Sequence, residues 1–96
     1  MERIFEWDDK KAEINLKKHK VSFQQASKVF SDPFALSRQD RNVDGEDRWQ
    51  TMGMVEGCVL LLVAHTVRFE DVEIIRIISA RHVTRQERKQ YEFGTF

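Results

Sequence analysis

Cysteine is nearly absent from this sequence. Cys58 stands alone among 96 residues, so neither an intramolecular disulfide nor a four-cysteine zinc site can form. One proline and four glycines leave no Pro/Gly linker. No stretch repeats another, and a single domain over residues 1–96 is expected. Long apolar runs are missing as well: the longest, Val59 to Ala64, falls far short of the roughly 20 residues that span a bilayer. The opening Met1-Glu2-Arg3-Ile4-Phe5-Glu6 lacks the basic-then-apolar order of a signal peptide, and a cytoplasmic protein without membrane attachment is expected. Nor is there a net charge, since sixteen Lys and Arg meet sixteen Asp and Glu. A uniformly basic nucleic-acid binder is thereby excluded. The chain has no Gly-rich phosphate loop, no HExxH, no GxSxG and no His or Cys pair at zinc spacing, so no metal and no cofactor is expected.

What is present suits a small packed core. Hydrophobic residues make up 41% and charged residues 33%, with seven Phe, two Trp and one Tyr supplying bulk. The charge is unevenly spread. Lys10 to Lys28 holds six lysines and a single acid, for +5, whereas residues 1–9 and 29–58 each carry −3 and residues 59–96 carry +1. Such segregation offers a basic face to RNA and an acidic face to a basic partner, or it marks a merely solvated helix.

Periodicity predicts the elements. Arg3 to Trp7 alternates as a short strand, with Ile4 on one face and Phe5 and Trp7 on the other. Asp8 or Asp9 caps a helix to about His19, with Ala12, Leu16 and His19 on one side. Ser22 and Gln25 have capping-box spacing for a second helix carrying Phe23, Ala26 and Phe30, which Pro33 stops. Phe34 to Ser37 reads as a short strand, Gln39 to Asp47 as a polar loop and Arg48 to Val55 as a strand. The turn Glu56-Gly57 then leads into a strand from Cys58 to Val67. Its apolar run Leu60 to Val63 belongs at the sheet centre. A loop at Arg68 to Asp71, a strand from Val72 to Ala80 and a capped helix from Arg85 to Tyr91 complete the chain. The class is α+β: an antiparallel meander with two N-terminal helices and a short C-terminal helix.

Chemistry concentrates in basic and imidazole side chains. His19 ends the first helix, where a cation also suits the helix dipole, and His65 lies near the end of the central strand. Strict alternation puts Arg76 beside Ile74, Ile78 and Ala80, and Arg81 on the other face with Ile75, Ile77 and Ser79. Arg76 is costly to bury unless a carboxylate or a substrate phosphate meets it. Ser79, Arg81 and Arg85 beside a helix start at Thr84 form a natural phosphate site, or an Arg–Glu network such as Arg88 with Glu92 ties the helix to the sheet.

A family resemblance runs through these residues. Phe5-Glu6-Trp7-Asp8 with Lys11 and Asn15, Lys18-His19-Lys20-Val21-Ser22-Phe23, Ala26 and Val29-Phe30-Ser31-Asp32-Pro33 look like the N-terminal signature of BrnT-type toxins. Arg48, Gly53, His65-Thr66, Arg76 to Arg81, Glu87-Arg88 and Tyr91 look like their C-terminal half. The resemblance implies a type II toxin–antitoxin system and a RelE-like ribonuclease fold. It also implies a BrnA-type ribbon-helix-helix antitoxin, in a complex of two toxins and two antitoxins that meets operator DNA only through the antitoxin. Its expected activity is metal-independent cleavage of RNA, which inhibits translation and growth. On this resemblance His19 or His65 serves as base or acid and Arg76 and Arg81 clamp the phosphate. Lys18, Lys20, Ser79, Arg85 and Tyr91 are further RNA contacts. A non-catalytic co-repressor of the same fold, or an RNA- or ribosome-binding module, would share much of this sequence. Trp49, Met52 and Met54 near a sheet edge and Phe93 and Phe96 in the tail are candidate partner contacts.

Overall fold

The computed structural model describes residues 2–96. Strand β1 (Arg3–Glu6) leads into helix α1 (Asp9–His19), helix α2 (Phe23–Ser27) and a 3₁₀ turn at Lys28–Ser31. Strands β2 (Leu36–Val43), β3 (Glu46–Val55), β4 (Val59–Phe69) and β5 (Glu73–His82) follow, and helix α3 (Arg85–Phe93) ends the chain. The five strands form one sheet in the order β1-β5-β4-β3-β2. Strands β2 to β5 are the antiparallel meander, while β1 joins the far edge in parallel, Ile4 opposite Ile74 and Glu6 opposite Arg76. Apolar β4 lies at the centre, as its two-sided pattern demands.

The two sheet faces differ in cover. On one face Val21, Phe23, Ala26 and Val29 pack on Val55, Leu61, Val63, Ile75, Ile77 and Ala80. The approach is tight at Gly53, where an added Cβ would stand 2.8 Å from Val29 Cγ1 and 2.9 Å from the Val29 carbonyl. On the other face α3 lays Tyr91 against Met52, Leu60 and Leu62, joined by Val83 and Phe96 from either side of the helix, and covers only that end.

Both sheet edges are finished by side chains. Strand β1 pairs only with Glu73 to Arg76 of β5. Beyond it Asn15 acts as a substitute strand: its amide accepts from Ala80 N (3.1 Å) and donates to the Ala80 and Val21 carbonyls (2.9 and 3.0 Å). Strand β2 starts opposite Met52, and beyond it Asp32 accepts from Met54 N (2.7 Å). Each plug satisfies backbone groups that burial would otherwise leave unpaired.

Several expectations are corrected. The polar loop expected at Gln39 to Asp47 is mostly strand, turned at Asp44-Gly45, both with positive φ. An edge strand with charged side chains on both faces carries no apolar alternation to read. The second helix lasts five residues before tightening into the 3₁₀ turn, and only half of its capping box forms, Ser22 Oγ accepting from Gln25 N. Leu16, grouped with Ala12 and His19 on one side of α1, is 49% exposed; polar Asn15 takes the central buried position at 5%. Strands β4 and β5 each run two residues past their expected ends, to Phe69 and His82.

Candidate functional site

One irregularity reorganises the expected site. Along β5, Arg76 pairs with Thr66 and Ile77 with His65, but Ser79 pairs with Ala64, leaving Ile78 as the extra residue of a β-bulge. Past the bulge the faces exchange parity. Thr66, Ala64 and Leu62 alternate regularly along β4, so their partners Arg76, Ser79 and Arg81 share one face. Strict alternation had separated Arg76 from the other two; the bulge unites them. On the opposite face Ile75, Ile77 and Ala80 stay in the core.

The same pairing logic extends across the sheet. Gln50 pairs with Ala64 and with Arg38, and Arg48, two residues earlier on β3, pairs with Arg41. Arg68, two residues past Thr66 on β4, follows the same parity. One sheet face therefore carries Arg38, Arg41, Arg48, Arg68, Arg76 and Arg81. In a chain with no net charge, this is segregation by face. Arg38 stacks on Phe96 at 4.1 Å from the ring centroid and donates to Gln50. Arg48 Nε is buried with no acceptor among the described residues, a cost that an anion beside the guanidinium would reduce. None of Arg38, Arg41, Arg48 or Arg68 was singled out as a site residue from sequence. Only the pairing register reveals them as neighbours.

Carboxylates hold part of this face. Glu6 meets Arg68 and lies 3.6 Å from Arg76. Arg81 forms a two-pronged pair with Glu87, both contacts at 2.9 Å. The Arg81 guanidinium and the capping bonds at Thr84 hold the Glu87 carboxyl down to about 2. This pair, rather than Arg88 with Glu92, ties α3 to the sheet.

Beside Ser79 a groove of about 200 Å³ opens between α1 and the bulge, lined by Lys11, Ile14, Asn15, Lys18, His19, Ile78 and Ser79. Lys18, His19 and Ser79 thus line one groove, and Ser79 also belongs to the row of Arg76 and Arg81. The remaining candidates lie apart. His65 is on the helix-covered face, 3% exposed, with Nε2 2.7 Å from Thr51 Oγ1 and its ring edge-on to Phe30. Burial pushes its pKa down to about 4, so it is neutral near pH 7. Tyr91 donates to Asp32 (2.6 Å), and burial together with that carboxylate pushes its hydroxyl up to about 12. Lys20 is exposed as the left-handed cap of α1, with φ 61°. Arg85 is exposed at the start of α3. Among the described residues no three His, Cys, Asp or Glu side chains are grouped as metal ligands.

The geometry can be set beside known proteins. The crystal structure of the Brucella abortus ribonuclease toxin BrnT aligns over 88% of this chain and 100% of that chain, with a TM-score of 0.60 and 20% sequence identity. At that identity the likeness speaks for the fold. No curated protein sequence matches. The family described as the ribonuclease toxin, BrnT, of type II toxin–antitoxin systems matches residues 7–87. That span includes the groove of α1, the bulge and the whole row of arginines, and the chain belongs to the BrnT family of type II toxin–antitoxin ribonuclease toxins.

Proposed function

We propose that this chain is a metal-independent endoribonuclease of RelE-like type, which binds RNA on its arginine-bearing sheet face and cleaves it beside the α1 groove. The observation that carries this reading is the bulge at Ile78, which sets Arg76, Ser79 and Arg81 in one row against Lys18 and His19. In the reaction the ribose 2′-oxygen attacks the adjacent phosphorus and the 5′-oxygen leaves, giving a cyclic phosphate and a free 5′-hydroxyl. One group takes the 2′-hydroxyl proton and one supplies a proton to the 5′-oxygen. His19 is the imidazole for proton transfer, because its ring borders the groove whereas His65 Nε2 is engaged by Thr51. The planar forks of Arg76 and Arg81 match two phosphoryl oxygens. Lys18 adds positive potential, and Ser79 offers a hydroxyl to the same phosphate.

In this reading the protein acts in the cytoplasm, where RNA is met, and arrests growth by depleting translatable RNA. A BrnA-type ribbon-helix-helix antitoxin neutralises it in a complex of two copies of each chain, and operator DNA is contacted through the antitoxin. No helix among the described residues is long and apolar enough to cross a membrane. A second reading draws on the internal pairing of Arg76 with Glu6 and Arg81 with Glu87. Arginines already neutralised suit a non-catalytic co-repressor that only binds its antitoxin.

Incubating purified, antitoxin-free protein with total RNA in EDTA decides between them. Cleavage by the parent and its loss in a folded His19→Ala variant is the expected result. Intact RNA in both lanes, with ribosomes also supplied, would transfer the chain to the co-repressor reading.

A further inference from the structure

The helices leave one end of their own sheet face bare. Beside and beyond His65 that face continues as its partner Trp49 and then Val67 and Phe69, toward the turns that join β2 to β3 and β4 to β5. These side chains wall a cavity of about 660 Å³, with Glu46 and Asp47 on its rim. Phe69 is 65% exposed, a large apolar ring where solvent would ordinarily select a polar one.

Carboxylates gather at this end of the sheet. Asp44, Glu46, Asp47 and Asp71 stand in or beside the two turns, and none of them enters an ion pair among the described residues. Arg68 also borders the cavity, but its guanidinium is held by Glu6 and Glu70. Aromatic faces beside carboxylates outside any ion pair suit an ammonium or guanidinium: the rings attract its charge and the carboxylates, Asp47 already accepting from Asn42, have lone pairs left for its hydrogen bonds. RNA is disfavoured here, because its phosphates would face the same carboxylates.

We infer that this cavity receives a lysine- or arginine-bearing segment of the antitoxin, whose apolar side chains rest on Trp49 and Phe69. The inference rests on the toxin–antitoxin reading above. It centres the protein partner on Trp49, Val67 and Phe69, on the face opposite the arginines, with the rim residues Glu46 and Arg68 reaching toward the arginine side.

Isotope-labelled protein would be titrated with three probes: a capped heptapeptide of alternating arginine and leucine, its glutamate–leucine counterpart, and a short oligouridylate. The arginine peptide is expected to shift the Trp49 indole and Phe69 amide signals saturably. A Glu46→Lys, Asp47→Lys double variant should weaken that binding about tenfold. Its substitutions are on exposed residues at the start of β3, and retained cleavage of RNA would certify its fold. Binding that survives the double substitution would overturn the inference, as would Trp49 shifts caused by the glutamate peptide or by oligouridylate. Concentration-dependent Trp49 shifts without any peptide, abolished in the variant, would make a second copy of this chain the occupant. The ribonuclease reading is scored separately, by oligouridylate shifts on the arginine face and by cleavage of total RNA.

Discussion

The two faces of the sheet are built from the same strands and do different work. One buries Leu61, Val63 and Ile77 beneath Phe23 of α2 and Val29 of the 3₁₀ turn, all at exposures of 1% or less. The other presents Arg38, Arg41, Arg48, Arg68, Arg76 and Arg81 and is capped only at the Met52 end. Stability is thereby concentrated on the first face and binding capacity on the second. Substitutions should divide accordingly. The sharpest test of the division is Phe23→Ala, which removes a ring of 0% exposure at the centre of the covered face. It should cost about 3–5 kcal/mol in denaturant melts. A loss under 1 kcal/mol would mean that the helices are not what holds this sheet.

The covered face also carries the pH dependence. Burial pushes His65 down to about 4, whereas an unfolded histidine titrates near 6.5. Between these values the unfolded chain binds a proton that the folded chain refuses, so stability rises with pH. The contribution is complete above about 6.5 and is lost as pH falls toward about 4, on the order of 3 kcal/mol in all. Melts at pH 7 and pH 4.5 measure it, and His65→Gln should flatten the slope. An unchanged slope in that variant would assign the dependence to other groups. Glu87, held at about 2 by Arg81, loses its contribution only in a lower window, as pH falls from about 4.5 toward 2.

On the bare face the pattern reverses. Arg76→Ala should leave the melting midpoint within about 1 kcal/mol of the parent, since its pair with Glu6 is long and partly exposed. Cleavage should fall roughly a hundredfold if the guanidinium holds the transition-state phosphate. The salt dependence of RNA binding should lose about one unit of slope. Unimpaired cleavage by the folded variant would remove Arg76 from the site, and a large stability loss would place it with the covered face instead.

How much of this division was legible in sequence differs by face. The α+β class, the central position of β4 and the pairing of Phe5 with Trp7 on one side followed from apolar spacing, because burial leaves that imprint. The arginine face left none. Its unity depends on the bulge at Ile78 and on the register of β2, and polar residues in an edge strand have no period that marks which way they point. Asn15 and Asp32 were hidden for a related reason. Both are polar residues at positions where burial is rewarded by backbone partners, and hydrophobic patterning does not register such partners. The joining of Lys18 and His19 with Ser79 is likewise tertiary, since 60 residues separate His19 from Ser79.

Tyr91 sharpens the comparison most finely, because it packs on the arginine-bearing face yet is held there by a structural hydrogen bond. Resemblance suggested an RNA contact, yet its hydroxyl donates to Asp32, which also accepts from Met54 N and Phe34 N. Burial alone would raise the Asp32 carboxyl; these three donors bring it below its ordinary value. Tyr91→Phe keeps the ring on Leu60 and Leu62 while deleting one donor to a charged acceptor. The remaining two donors stay in place, so the expected loss is about 1.5 kcal/mol, with cleavage of RNA unchanged at a temperature well below the melt. Parental stability with cleavage reduced tenfold or more would mean that the hydroxyl leaves Asp32 to meet RNA. The reverse pattern fixes it as the clasp that closes α3 over the open edge of β3.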